Sequence, residues 1–300
     1  MTASLIRSPG RSGAFSEVQA PIAAIRAPLD GLLTRSGLSI ALASSLVLIL
    51  AALLLRPLIP IDETRYMTVA WEMYDTGNWL VPHLNGAPYS HKPPMLFWLI
   101  GAVWTITGSS SAFAARLAPA LFVPLTIFLT FVLGRKIATR QEASIASLIL
   151  AGFTAFCLYG SLVMFDAMLA AATLLALIGL VDAAGTAPRK GFALFAAGIG
   201  CGLLVKGPVI FIHVLPAALL APLWLQRPRR WSRWYVSVLA AIGLGVGIGL
   251  LWALPAAQSG GAAYADMILW GQTAGRVVNS FDHARPFWFY IAICPLLLFP

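Results

Sequence analysis

Charge is scarce in this 300-residue chain: Asp, Glu, Lys and Arg make up 10% of it, only 11 residues are acidic, and 59% are hydrophobic. A soluble domain of ordinary composition carries about 25% charged residues to keep its surface in water, so that class is excluded. Cysteine is almost as rare. Cys157, Cys201 and Cys294 stand far apart inside apolar runs, which supports neither a disulfide framework nor a thiolate metal site. Internal repeats and polar stretches long enough for a separate soluble domain are missing too. The first 37 residues lack the apolar core and small-residue cleavage site of a secretory signal. Their arginines, Arg7, Arg11, Arg26 and Arg35, sit among Ser, Gly, Ala and Pro, and residues 1–37 read as a disordered cytoplasmic tail.

What the chain has in abundance is long uncharged runs. Leu38–Leu55, Leu117–Leu133, Ala143–Phe165, Gly207–Gln226 and Tyr235–Ala265 are each long enough, or nearly so, for a helix to cross ~30 Å of hydrocarbon. Shorter runs, Ala167–Val181 and Gly191–Val205, read as spans whose ends lie in polar cavities. A further run begins at Pro286 and is still open at Pro300, so the chain reads as truncated within a span. The expected fold is an all-α polytopic membrane protein, with residues 38–300 forming one transmembrane domain incomplete at its C-terminal end.

Lys and Arg near span ends mark the cytoplasmic side, and they arbitrate the one ambiguous segment, Met95–Thr107, which is short for a span. If it lies in the interface, thirteen of the 20 basic residues fall inside, in the tail and near residues 134–143, 182–191 and 226–233. If it spans, only eight do. The interfacial placement is favoured, and it puts residues 60–116 outside as one large first loop. Acidic, basic and aromatic residues from distant segments then collect at the outer face. The net charge of +9 needs no nucleic-acid partner, because orientation in the membrane accounts for most of the cations.

Within that loop, "IDETRYMTVAWEMYDTGNWLVPHLNG" predicts an amphipathic helix entered after Pro60 and left at Gly77, with Tyr66, Val69, Ala70 and Met73 on one face. In "YSHKPPMLFW", Pro93 and Pro94 keep Lys92 out of a helix and start the next one, whose Trp98 and Trp104 suit an interface. Each polar residue has a plain alternative. Asp62 could be a helix N-cap, Glu63 a complement to the helix dipole, Arg65 a partner of Glu72, and Lys206 a snorkelling lysine. Glu72 and Asp75 could simply solvate the loop, and His213 could be a packing histidine. Jointly, however, an acid at 62, cations at 65, 92, 206 and 276, and aromatics at 66 and 89 at one membrane depth suit a phosphate whose sugar is handed on. Cations bind the phosphate oxygens, and a carboxylate takes the acceptor proton.

The stretch "DETRYMTVAWEMYDTGNWLVPHLNGAPYSHKPP" closely resembles the first outer loop of the polyprenyl-phosphate-sugar glycosyltransferases of the GT-C class, especially lipid A aminoarabinose transferases and protein O-mannosyltransferases. The likeness rests on the acidic pair and the Arg-Tyr that follows it, the Gly-x-Trp-x-x-Pro-x-x-x-Gly register from Gly77 to Gly86, and the Tyr-x-x-Lys-Pro of Tyr89 to Pro93. "FDAML" at 165–169, "LLVKGP" at 203–208 and "RPFWFY" at 285–290 extend it over roughly residues 38–300. The resemblance implies a GT-C helix bundle with Asp62 as the catalytic carboxylate and Arg65, Lys92, Lys206 and Arg276 around the donor phosphate. Glu63, Tyr66, Tyr89, His91 and Asp166 are expected in the cavity.

The activity implied is transfer of a sugar from a polyprenyl-phosphate donor to lipid A, another envelope glycan or a protein hydroxyl. Its place is the outer face of a bacterial cytoplasmic membrane, among membrane lipids and without nucleic acid. The rival reading, a transporter or lipid flippase, fits less well, because transporters set ionisable groups near the midplane and here only His213 is clearly mid-span. The sequence departs from its relatives at His91, where aminoarabinose transferases commonly carry glutamate, and at "WGQTAGR", which lacks the usual Glu/His-bearing stretch. No cofactor is certain from the sequence, and a metal-free site is favoured. A divalent metal stays open, with His91 the first ligand to test.

Overall fold

Apolar runs in lipid must satisfy their backbone polar groups internally, which leaves the helix as the natural solution. The computed structural model describes residues 13–225, 230–275 and 286–297. Five stretches among them are long and apolar enough to cross a membrane: Leu33–Leu55, Ala112–Ile137, Asp166–Ala184, Pro188–Lys206 and Trp231–Gly260. The first lies in α1 (Gly13–Leu55). After it come α2 (Asp62–Thr76), α3 (Met95–Thr107), α4 (Ala112–Ala120) and α5 (Phe122–Ile137). Next are α6 (Arg140–Gly152), α7 (Thr154–Gly160), α8 (Asp166–Ala184) and α9 (Pro188–Lys206). The series ends with α10 (Val209–Leu219), α11 (Ala221–Trp224), α12 (Trp231–Gly260), α13 (Ala262–Asp266), a π-helical stretch Met267–Gly275 and α14 (Phe287–Leu297).

Several boundaries differ from expectation. The first helix begins at Gly13 rather than near residue 38, so the segment expected to be a disordered tail is helical from there on. Its residues from Gly13 are mostly Ala, Leu, Ile and other tolerable helix formers. The run Ala143–Phe165 is broken at Phe153, where α6 and α7 meet at 62°, and Phe153 itself is extended. The run Gly207–Gln226 breaks at Leu220, between Pro216 inside α10 and Pro222 in the first turn of α11. His213 is exposed on α10 instead of packed.

Contacts identify the two ends of the bundle. At one end Lys136 Nζ lies 2.5 Å from Asp182 Oδ1, and Trp234 Nε1 donates to the Ala218 carbonyl at 3.0 Å. At the other, Arg116 Nη1 donates to the Arg56 carbonyl at 2.8 Å and Trp252 Nε1 to the Leu80 carbonyl at 2.9 Å. The first contact brings residues 56 and 116 together, so residues 57–115 leave and return at the same end. Between the ends, α8 and α9 touch backbone to backbone: a Cβ on Gly198 would lie 2.7 Å from the Ala176 nitrogen.

The returning segment is folded, not draped. Helix α2 buries Glu63, Tyr66, Val69, Ala70 and Met73, four of which share one apolar core with Leu96, Phe97, Ile100 and Trp104 of α3. Trp104 is only 1% exposed and its Nε1 donates to the Ser111 carbonyl at 3.1 Å, so it is a core residue rather than an interfacial one. Gly77 ends α2 in the left-handed region (φ 69°). A two-residue hairpin then pairs His83–Leu84 (β1) with Ala87–Pro88 (β2) through a turn with positive φ at Asn85 and Gly86. Trp79 lies over Gly101, and its carbonyl accepts from Trp98 Nε1 at 2.7 Å.

Candidate functional site

Asp62 is the first residue of α2. The capping position belongs to Ile61, and no side-chain cap bond forms, so the N-cap alternative fails. Instead Asp62 Oδ1 accepts a short hydrogen bond from Arg65 Nη2, the i,i+3 neighbour that a helix brings alongside. This also sets aside the Arg65–Glu72 pairing. Glu72 turns to the hairpin, where its two oxygens accept from the Asn85 and Gly86 N–H groups at 2.5 and 3.0 Å. It therefore braces the turn that leads into Tyr89, His91 and Lys92 rather than solvating the loop.

One turn along α2, Tyr66 is buried against Phe165 at 5.0 Å between ring centroids, edge to face, and the Arg65 guanidinium sits 5.4 Å from its ring centre. Burial first, and the Asp62 carboxylate next, push the Tyr66 phenol above its ordinary value of 10.0, with Asp166 adding to the rise and Arg65 opposing it. The phenol therefore stays protonated at neutral pH. One hydroxyl thus feels Asp62, Arg65 and Asp166 together. Burial pulls the Arg65 guanidinium down, but Tyr89 and Tyr66, which act only in the high-pH range where they ionise, and the Asp62 carboxylate outweigh it and hold it above its ordinary value.

Asp166 opens α8 and Lys206 closes α9, so two antiparallel helices deliver them to the same end, where Lys206 Nζ lies 2.8 Å from Asp166 Oδ1. Both acids stay accessible, with side chains 45% exposed at Asp62 and 39% at Asp166. Lys206 is thus an ion-paired residue, not merely a snorkelling one. Tyr89 is buried, stacks on His91 with centroids 5.2 Å apart and donates its backbone N–H to the Pro82 carbonyl at 2.8 Å. Lys92 is half-buried in the bend before α3, the place that the two prolines predict. Arg276 lies outside the described residues.

Glu63 departs from expectation. Rather than lining the cavity it is 1% exposed. Its Oε2 accepts from Arg56 Nη1 at 2.6 Å and from the Ile59 N–H at 2.8 Å, and its Oε1 accepts from Arg56 Nη2 and the Val163 N–H, both at 2.9 Å. Burial alone would raise this carboxyl; the Arg56 hydrogen bonds, then those from Ile59 and Val163, overcome it and hold Glu63 below its ordinary 4.5. Sequence reasoning missed Arg56, although a charge directly after the apolar run ending at Leu55 is a visible signal. No such signal marks Ser161 and Val163, which act through backbone atoms.

Among the described residues, no three His, Cys, Asp or Glu side chains gather closely enough to hold a metal ion. His91 stacks on Tyr89.

Fold and site together define a GT-C type glycosyltransferase-like helix bundle with paired acids and cations at one end. The family is set by the match of residues 91–257, more than half of the chain, to dolichyl-phosphate-mannose-protein mannosyltransferase, and the chain belongs to that family. An undecaprenyl phosphate-alpha-4-amino-4-deoxy-L-arabinose arabinosyl transferase of Pseudomonas savastanoi pv. phaseolicola is 31% identical over 264 residues, 84% of this chain and 48% of the relative. A protein of Proteus mirabilis with that activity in its name is 30% identical over 80% of this chain and 43% of its own length. The chain thus spans about half the length of the curated relatives it matches. The crystal structure of ArnT from Cupriavidus metallidurans bound to undecaprenyl phosphate superposes with a TM-score of 0.66 at 22% identity, covering 88% of this chain and 49% of that one. The archaeal oligosaccharyltransferase AglB from Archaeoglobus fulgidus gives 0.50 at 15% identity, over 89% of this chain and 37% of that one.

Proposed function

We propose that this chain carries the donor site of an integral membrane glycosyltransferase that moves a sugar from undecaprenyl phosphate, or a similar polyprenyl phosphate, to lipid A, another envelope glycan or a protein hydroxyl. The observation that supports this most is the pair of ion pairs, Asp62–Arg65 and Asp166–Lys206, flanking the buried Tyr66 in a chain of this family. In that arrangement both cations already have carboxylate partners. A donor phosphate entering between them competes for Arg65 and Lys206 and leaves Asp62 able to act as base. Lys92 and Arg276 would add charge to the phosphate, and Tyr89 and His91 would edge the cavity.

For a hydroxyl acceptor, the acceptor oxygen attacks the anomeric carbon and the bond to the phosphate oxygen breaks. The electron pair leaves on the lipid phosphate, the proton passes to Asp62, and the anomeric centre inverts. An acceptor that is itself an ionised phosphate needs no base. The cations stabilise the leaving phosphate in both cases. A transporter is the weaker reading, since the ionisable residues gather at one end rather than mid-span.

The site reads as facing outward from a bacterial inner membrane, because Lys136, Arg140, Arg189 and Lys190 stand at the opposite end of the helices. The test is transfer by membranes containing the protein, with radiolabelled undecaprenyl phosphate-4-amino-4-deoxy-L-arabinose as donor and with impermeant thiol labelling of cysteines placed at Ser110 and Arg140. Label on the product, reactivity at 110 and protection at 140 in intact cells support the proposal. Donor left intact, or the reverse labelling, overturns it. Transfer is expected to survive thorough chelation; loss of transfer restored by zinc or manganese would make His91 a ligand.

A further inference from the structure

We propose that Glu63 is a positioning residue that fixes the spacing between Asp62 and Asp166, an inference resting on the transferase reading above. The carboxylate is the centre of a buried junction. Arg56, just past the end of α1, grips it with both terminal nitrogens at 2.6 and 2.9 Å and also donates to the Ser161 carbonyl at 2.9 Å. Arg116 of α4 reaches in from the far side, with Nη1 on the Arg56 carbonyl at 2.8 Å and Nε 3.7 Å from Glu63 Oε1. The Ile59 N–H fixes the entry to α2, and the Val163 N–H fixes the entry to α8.

The two aspartates of the site stand directly beside these anchors. Asp62 precedes Glu63, and Asp166 follows Val163 by three residues, at the start of α8. Glu63 joins Val163 across a hundred positions of sequence, so the same carboxylate holds the starts of the two helices that carry the accessible acids. A buried ion pair seldom stabilises a fold more than apolar packing of the same volume would, whereas four convergent hydrogen bonds on one carboxylate restrict geometry strongly. The junction also separates two adjacent acids into different tasks. Glu63 has its hydrogen-bonding capacity filled and is out of reach of solvent, while the Asp62 side chain stays 45% exposed.

The test compares Glu63→Gln, Arg56→Lys and Asp62→Asn in the full-length protein in membranes, using undecaprenyl phosphate-4-amino-4-deoxy-L-arabinose as donor. Glutamine keeps the volume but replaces one accepting oxygen with a donor that faces Arg56. If Glu63 positions the site, kcat per folded molecule falls about 100-fold, as for a displacement of about 1 Å at the reacting centre, while the donor KM stays within about twofold. Unchanged kcat per folded molecule overturns the proposal, even if less protein folds. Should Glu63→Gln fail to accumulate, Arg56→Lys decides. It keeps the charge but cannot span both Glu63 oxygens and Ser161, and it is expected to lower kcat without raising KM; wild-type kcat overturns the proposal. Asp62→Asn separates the two levels. Full transfer by that variant sinks the transferase site itself, whereas an inactive Asp62→Asn beside a normal Glu63→Gln removes only the positioning role.

Discussion

At the Lys136 end of the bundle, Lys136 and Asp182 meet with side chains about a third exposed, 33% and 32%. Thr139 and Glu142 there close a capping box at the start of α6, with each side chain bonded to the other's backbone N–H. At the Asp62 end, the same kinds of residue make a buried carboxylate bound by an arginine, two accessible aspartates each paired to one cation, and one backbone nitrogen, that of Val163, brought in from a hundred positions away. Simple rules of helix ends and membrane insertion explain the first set entirely. The second set exceeds those rules, since no helix needs four donors on one glutamate. What distinguishes the Asp62 end is therefore the burial of one carboxylate and the number of donors converging on it, more than the charges themselves or their distance in sequence, since Lys136 and Asp182 are 46 positions apart and Asp166 and Lys206 only 40.

The contrast breaks most sharply at Asp62. Asp62→Asn should lower transfer to a hydroxyl acceptor by about 10²-fold or more while moving the thermal midpoint little, because this residue caps nothing and its pair with Arg65 is solvent-exposed; near-normal turnover would return Asp62 to the ordinary class of helix-end acids. Lys206→Ala comes next. With a charge-assisted contact to phosphate removed, donor KM should rise about 10-fold or more, and an unchanged KM would make the Lys206–Asp166 pair purely structural.

A third test uses pH. The Glu63 carboxyl is held below its ordinary 4.5, so its stabilisation is complete above that value and is lost as pH falls through the lower folded-state value. Thermal midpoints measured downward from neutral pH should drop on the acid side in the wild type and drop less in Glu63→Gln. Parallel curves would show that Glu63 does not govern acid stability. The smallest effect belongs to Thr139→Ala at the other end, where a modest fall in midpoint should come with unchanged turnover per folded molecule. A loss of turnover there would mean that the two ends are coupled.

Much of this was legible in the sequence because it depends on local chemistry. The face of α2, its end at Gly77 and the start of α3 after Pro94 follow from periodicity, proline and glycine. The meeting of Asp166 with Lys206 follows from two spans running in opposite directions. The division of labour between Asp62 and Glu63 was not legible. Adjacent residues on a helix point about 100° apart, and which of them turns inward depends on where Arg56, Ser161 and Val163 come to rest. Two of those partners contribute only backbone atoms, which no residue type announces. The break at Phe153 was hidden for a similar reason, since the run carries no proline there.

Gly101 shows how far a missing atom can reach. In an isolated helix, Gly101→Ala would favour the folded form by about 1 kcal/mol. In this molecule the added methyl would stand 2.3 Å from the Trp79 ring, so the ring must leave its seat. The Trp79 carbonyl holds Trp98 of α3, and the next carbonyl, that of Leu80, holds Trp252 of α12. A substitution that propensity scores as an improvement would thus act as a wedge, loosening the loop from α12 at a residue that is nowhere near the chemistry. Surveys of tolerated variation in this protein should find position 101 as intolerant as the acids, for a reason of shape alone.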